Sequence, residues 1–334
     1  MNAKRWAALG IAAGIFIVSF MVKFAFSLAF GEFASFQQSL FAMDEYEVTE
    51  RTIEPGTSFD RVAIIEVNGV IQDLGASPLL AQAGYHHRLT LNMLEQAAED
   101  DSVKGIILRV NSPGGGVVES AEIYKKVQAL ITTEKPVYVS MGSMAASGGY
   151  YISAPATKIF ANPTTMTGSL GVIMETINYS DLAENIGIDF ETIKSGPYKD
   201  IGSGSRNMTK KEREILQSMV DNAYNDFVKI IAEGRNMSKE QVKKVADGRI
   251  YDGYQAKDVG LIDELGDIDD TIAAIKEEIG NENLGVIQYE SAFGFGSFFQ
   301  MTAQKMFSSE FDLLGIRQLI STSNSPRLMY LYAE

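Results

Sequence analysis

The sequence contains no cysteine and only two histidines among its 334 residues. The first absence removes thiol nucleophiles, cysteine-ligated zinc and disulfides together, and leaves the redox compartment open. The second is nearly as restrictive, because His86 and His87 are adjacent and so offer one local imidazole site at most. They lie in the polar loop Gly84-Tyr85-His86-His87-Arg88, with no orienting carboxylate beside them, and are expected to be surface residues. Also missing are a long Lys/Arg block and any internal repeat. At a formal net charge of −14 the chain repels a phosphate backbone, which argues against a nucleic-acid partner.

What is present begins with an apolar run. Trp6 to Val22 carries no charge, and after Lys23 the apolar character resumes to Phe30; about twenty such residues span a bilayer. Lys4 and Arg5 precede the run, so a cytoplasmic N-terminus and an extracytoplasmic remainder are expected, with residues 1–30 as a transmembrane signal-anchor. Ser27-Leu28-Ala29 also suits a signal peptidase. Cleavage is therefore the competing reading, disfavoured by the length of the run and by Lys23, which can snorkel to the interface. Residues 31–60 turn polar and acidic around Pro55-Gly56 and read as a tether.

A folded domain is expected over residues 61–290. Val62–Ile71 and Ile106–Val110 are Ile/Val-rich runs suited to buried strands, and Val137–Ser140 starts another after Pro136. Leu89–Ala98 and Ser120–Ile131 have helical apolar spacing between them, and this alternation predicts an α/β fold. Thr209–Glu212 and Ser238–Gln241 are capping boxes. After the first, Leu216, Met219, Val220, Ala223, Phe227 and Ile230 mark one face of a long helix, as core or as a subunit interface. Residues 291–334 form a C-terminal extension, with Phe alternating with Gly and Ser over Phe293–Phe299 and an apolar tail after Pro326.

Two glycine-rich turns carry the chemistry. Asn111-Ser112-Pro113-Gly114-Gly115-Gly116 follows an expected strand and leads into a helix, where backbone amides approach a phosphate or a developing oxyanion closely. It lacks the Lys-Ser/Thr ending of a phosphate loop and the spacing of a dinucleotide site, and a plain tight turn is the alternative. Met141 to Tyr151 repeats the strand-to-helix setting around Ser147, whose small neighbours allow a sharp turn that exposes a hydroxyl. A helix cap is the other reading of that serine. Two such turns favour a shared site, because open α/β sheets bind ligands outside the carboxyl ends of their strands. A serine nucleophile needs a base: the histidine pair, a carboxylate, or a lysine neutralised by burial. The lysine candidate is Lys199, in Lys194-Ser195-Gly196-Pro197-Tyr198-Lys199-Asp200, which composition alone reads as a solvated loop residue.

Four blocks resemble the signal peptide peptidase A family of serine/lysine peptidases (S49) in order and spacing. They are Ser112–Gly116, Ala145–Tyr150, Thr167–Val172 and Ser195–Lys199; Gly248–Gly253, Ala256 and Gly260–Asp263 continue the match, which spans about Arg61 to Ile279. The glycine turn is shared with the wider Clp protease/crotonase superfamily. The resemblance implies a crotonase-like fold of repeated ββα units, Ser147 as nucleophile, Lys199 as general base with a strongly lowered pKa, and Ser169 holding the lysine amine. It also implies oxyanion amides at Gly114 and Gly148, with no cofactor and no metal. Asp200 is expected to point away from the lysine, whose charged form it would favour. Implied substrates are apolar peptides such as signal-peptide remnants. The short form of the family implies a homo-oligomeric ring in which Ser147 of one subunit meets Lys199 of its neighbour. Acyl-CoA chemistry on the same scaffold and an idle membrane scaffold are the rival functions. The extended apolar tail, Leu328–Glu334, is a candidate occupant of the enzyme's own groove.

Overall fold

The computed structural model describes Phe16, Ser19 and residues 48–73, 85–291 and 328–332. Apart from Phe16 and Ser19, the apolar run expected to anchor the chain lies outside the described residues, as does the Phe293–Phe299 stretch. Among those described, no helix is long and apolar enough to cross a membrane.

Residues 48–291 and the C-terminal strand belong to one compact unit. Three runs make its centre: β2 (Arg61–Asn68), β3 (Val103–Ser112) and β5 (Val137–Ala146), each with four or more consecutive buried residues. Such runs suit parallel strands covered on both faces. These three pair parallel, β2 to β3 and β3 to β5. Outside them lie β6 (Lys158–Ala161) with β9 (Glu264–Leu265) on one side and β10 (Gly285–Ser291) with β1 (Val48–Glu54) on the other. Only β1 runs antiparallel in that row. This strand falls within the stretch read as a tether. It is mostly exposed and carries Arg51, paired with Glu290, so the sheet ends on a charged edge that discourages further pairing.

Side chains alternate across the sheet. Val62, Ile64, Ile107 and Tyr138 pack with Ile272 and Ile275 of helix α8 (Ile268–Ile279). Their sequence neighbours Ala63, Ile65, Ile106 and Val139 are equally buried and face the other way, where α1 (His87–Glu99) and α2 (Val117–Thr132) supply Leu94, Ile123 and Val127. This largely parallel α/β sheet fits the expected crotonase-like fold.

The arrangement brings the two glycine turns together. They follow β3 and β5, which are neighbours in the sheet and run parallel, so both turns emerge at the same edge; Ser112 is in register with Ala145. After the first turn, β4 (Gly114–Gly116) runs straight into α2. After the second, Ser147 leads into the short α3 (Gly148–Ser153). The strand β7 (Met166–Gly168) pairs with the end of β5, and β8 (Ile250–Tyr251) pairs with β7.

Candidate active site

Ser147 sits where β5 must turn into α3 within one residue. It does so with φ 54° and ψ −115°, a conformation that a residue with a Cβ rarely adopts. The turn is held from both sides. Ser147 N–H donates to the Gly168 carbonyl of β7 at 2.8 Å, and its own carbonyl accepts from Tyr151 N–H at 2.8 Å. Strain of this kind costs about 1–3 kcal/mol and persists only where the surroundings impose it. The side chain is buried, and its hydroxyl has no hydrogen-bond partner among the described residues. A buried hydroxyl left unpaired is unfavourable, so the fold keeps a strained and unsatisfied oxygen at the mouth of a helix.

Gly114 and Gly148, the two glycines the sequence nominates, are neighbours across this edge. A Cβ on Gly114 would lie 2.6 Å from the Gly148 nitrogen, and Gly114 has φ 103°, so both space and backbone conformation require glycine there. A Cβ on Gly148 would lie 2.7 Å from Ser120 Oγ and 3.0 Å from the Gly115 nitrogen. The Gly114 amide, however, donates to Ser112 Oγ at 3.1 Å. Gly115 is differently placed: Ile71 bonds Gly114 O and Gly116 N–H on one side of β4, which leaves the Gly115 amide facing the opposite side. Ser120, from α2, is fully buried, and its hydroxyl is likewise unpaired among the described residues.

The opposite side of β4 is occupied by the tail. Met329–Leu331 forms β11, antiparallel to β4, with Tyr330 opposite Gly115 and Leu331 opposite Gly114. Tyr332 N–H donates to the Pro113 carbonyl at 2.9 Å, so the alternation of antiparallel pairs makes Gly115 and Tyr330 the next hydrogen-bonded pair. On its other edge Met329 exchanges hydrogen bonds with Ile173, each 3.1 Å. The Tyr330 carbonyl and the Gly148 amide therefore converge on Gly114, whose absent Cβ would lie 2.0 Å from that oxygen. The Tyr330 ring is buried, stacked on Tyr151 with centroids 4.8 Å apart and tilted against Phe227 at 4.7 Å. Its hydroxyl donates to the Ala223 carbonyl at 3.0 Å. Burial raises the pKa of Tyr330 and pushes Tyr151 up to about 12, so both phenols are neutral at physiological pH. This aromatic pocket is absent from the sequence reading. Phe227 and Ala223 carry the periodicity of a core helix, and nothing in their spacing separates a pocket wall from core.

Lys199 is exposed, in a series of tight turns between α4 (Ser180–Asn185) and α5 (Lys210–Gly234), and makes no hydrogen bond to Ser147. Ser169, with φ 49°, follows β7 and is nearly buried; its N–H donates to the Arg249 carbonyl at 2.7 Å. The described chain thus gathers Ser147, Gly114, Gly148 and the Ser169 backbone around one edge and leaves the lysine on the surface. Asp200 is turned to other partners: Lys194 and Arg206 bind its carboxylate. The histidine expectation is corrected. His87 is buried, with Nε2 2.6 Å from Glu122 and Nδ1 2.6 Å from the Tyr85 hydroxyl, because α2 brings a carboxylate from a distant position that a local reading cannot supply. Burial raises the Tyr85 phenol well above its ordinary range.

Peptidase family S49 matches residues 129–282. A protein of Enterococcus faecium named "Putative signal peptide peptidase SppA" is 39% identical over 342 residues, covering 99% of each chain. Protease 4 of Salmonella typhi is 36% identical over 236 residues, 71% of this chain and 37% of that one. The chloroplastic serine protease SPPA of Arabidopsis thaliana is 32% identical over 220 residues, 66% of this chain and 32% of that one.

Proposed function

The chain belongs to peptidase family S49 and is a serine-type peptidase, and from that premise we propose a membrane-anchored endopeptidase in which Ser147 and Lys199 form a catalytic dyad across two subunits. The observation that carries the nucleophile is the strained Ser147 backbone next to the Gly148 amide, with a buried hydroxyl that has no partner among the described residues. An extended peptide enters as β11 does, by adding a strand to β4, and its side chain in the Tyr330 position fills the pocket of Tyr151 and Phe227. Its carbonyl then occupies the place of the Tyr330 carbonyl. Ser147 Oγ attacks the carbonyl carbon, and the C–O π pair moves to oxygen, where the amides of Gly148 and Gly115 stabilise it. We assign the second amide to Gly115, since that of Gly114 is donated to Ser112; Gly114 contributes its backbone conformation.

A neutral lysine amine takes the serine proton and returns it to the leaving amine as the C–N bond breaks. Water then hydrolyses the acyl-enzyme by the same route. The base comes from a second copy. Support for this lies in the surface position of Lys199 and in the apolar side chains exposed nearby, Ile177, Leu182, Ile186 and Ile193 among them. Leu216, Met219 and Val220 also remain at least partly uncovered on α5, whereas Ala223, Phe227 and Ile230 further along the same face are buried. A homo-oligomeric ring would cover that surface and complete each site, with Ser169 holding the amine.

Residues 1–30 support a single-pass anchor and an extracytoplasmic catalytic domain, and with the apolar groove they point to signal-peptide remnants as substrates. The test uses the protein from Glu32 onward. A serine-directed fluorophosphonate should label it, with labelling and hydrolysis of apolar peptides both lost in Ser147→Ala. Hydrolysis that persists in Ser147→Ala, or turnover of acyl-CoA esters in place of peptides, overturns the proposal.

A further inference from the structure

The exposed turn that carries Lys199 is tied by the Arg206 side chain to the N-terminal end of α5, the helix that also lines the aromatic pocket. Arg206 grips the residue next to the lysine: its Nε donates to Asp200 Oδ2 at 2.8 Å, and its Nη2 to Oδ1 at 2.7 Å and to the Asp200 carbonyl at 3.4 Å. The far side of the same guanidinium binds Glu212, through Nη1 to Oε2 at 2.9 Å and a short contact from Nη2 to Oε1. Glu212 is almost wholly buried and is itself the third residue of the α5 capping box, accepting from Thr209 N–H at 2.8 Å and from its hydroxyl at 2.9 Å. Lys194 closes the cluster, with Nζ 2.6 and 2.8 Å from the two Asp200 oxygens. Arg206 Nη1 also donates to the Asn207 carbonyl at 3.1 Å.

Helix α5 is a single rod of 25 residues from this cluster to the pocket. At its N-terminus it holds Glu212, and farther along it supplies the Ala223 carbonyl and the Phe227 ring that contact Tyr330. The base turn is therefore fixed to the body of its own subunit through a rigid element that also walls that subunit's pocket, so the turn is presented to a neighbouring serine in a defined position. A planar fork that satisfies two carboxylates at once is a geometry lysine cannot reproduce.

We propose that Arg206 is a positioning residue for the Lys199 base: its guanidinium fixes the lysine turn to the end of α5 and takes up the charge of Asp200, the carboxylate adjacent to the lysine. This rests on the proposed role of Lys199. Two consequences follow. Without the fork, the base is misplaced for a proton transfer that tolerates errors of only a fraction of an ångström, so kcat falls while peptide binding at β4 and the pocket persists. With Arg206 neutralised, Lys194 is the remaining cation paired with Asp200 among the described residues, and the freer negative charge favours the protonated lysine.

The experiment measures kcat, KM and the pH profile of kcat/KM with an apolar fluorogenic peptide. The variants are Arg206→Lys, Arg206→Gln, Asp200→Asn, Arg206→Gln/Asp200→Asn and Lys199→Ala. Arg206→Gln should lower kcat about 10- to 100-fold with KM within about twofold, and should move the acid limb about half a pH unit upward. Adding Asp200→Asn should return the limb to its wild-type position without restoring kcat. Arg206→Lys, which keeps the charge and guards against loss of the fold, should lower kcat and leave the limb in place. Wild-type kcat in Arg206→Gln, or a loss that Arg206→Lys fully rescues, overturns the proposal, as does a loss matched by lower thermal stability with no movement of the limb. Full activity in Lys199→Ala instead overturns the base assignment, so the two failures are told apart.

Discussion

The ring of Tyr330 lies stacked on that of Tyr151, 4.8 Å between centroids and 26° between planes, so a side chain near the end of the chain fills the pocket beside the nucleophile. An aromatic pair of this geometry adds about 0.5–1.5 kcal/mol beyond the area it buries, and the strand pairing with β4 adds to it. A peptide that enters as proposed competes with the tail for the same strand edge and pocket. Truncation after Pro326, or Tyr330→Ala, should lower the apparent KM for an apolar peptide severalfold and reduce the melting temperature by a few degrees. Initial-rate kinetics with a thermal melt of each variant checks this, and unchanged KM and stability would remove the tail from the groove.

Gly148→Ala tests the oxyanion amides. The added methyl meets Ser120 Oγ at 2.7 Å and the Gly115 nitrogen at 3.0 Å, so the turn must shift, and with it both proposed donors. Loss of one such donor costs about 100- to 1,000-fold in kcat, and a comparable drop is expected here. Ser120→Ala alone should be close to neutral in stability, since it removes a buried hydroxyl that has no partner among the described residues. The double variant should recover part of the lost kcat, because the alanine methyl then gains the space Ser120 Oγ held. Equal kcat in Gly148→Ala and wild type would place the oxyanion elsewhere.

Much of this fold was legible because its signals are local. Consecutive buried Ile and Val residues in β2 and β3, glycine turns at strand ends, and capping boxes at Thr209 and Ser238 each carry their meaning in a few residues. The meeting of the two glycine turns was legible too: Ser147, Gly114 and Gly148 stand at one edge because β3 and β5 are adjacent and parallel, while their catalytic roles belong to the proposal. What escaped depends on distant partners. His87 reads as a surface residue until Glu122 arrives on α2, and Phe227 reads as core until Tyr330 comes from more than a hundred residues away. The tail showed neither helical nor strand periodicity because three residues of β11 are too few to establish one; the edge of β4 provides the pairing. Lys199 stands apart from both cases, since its role rests on the family resemblance and the structure leaves it on the surface, which is why the proposal draws it from a second subunit.

The proposed second subunit makes a mixing experiment decisive. Ser147→Ala and Lys199→Ala should each lower kcat/KM by about 1,000-fold or more. If the dyad is shared, refolding the two inactive variants together should restore activity at the interfaces where an intact serine faces an intact lysine. Mixed oligomers should be verified by two affinity tags. Complete inactivity despite verified mixing would put both residues of each dyad in one chain.

Stability in acid offers a separate reading of the loop that carries Lys199. Hydrogen bonds from Arg206, then from Thr209, bring the Glu212 carboxyl down from 4.5 to about 2, and Arg206 and Lys194 hold Asp200 well below the ordinary carboxylate range. A carboxyl with a depressed pKa binds fewer protons in the folded state than in the unfolded one, so its contribution grows with pH through that window. For Glu212 it is fully present above 4.5 and is lost as the pH falls toward 2. Thermal melts of wild type and Glu212→Gln should therefore differ at neutral pH, and the difference should shrink steadily below 4.5 as the wild-type carboxyl takes up its proton. High salt should reduce the part that comes from Arg206 more than the part from the buried cap to Thr209, because screening acts on charges that solvent reaches. A difference that stays constant down to pH 2.5 would mean that Glu212 stabilises the helix by packing alone.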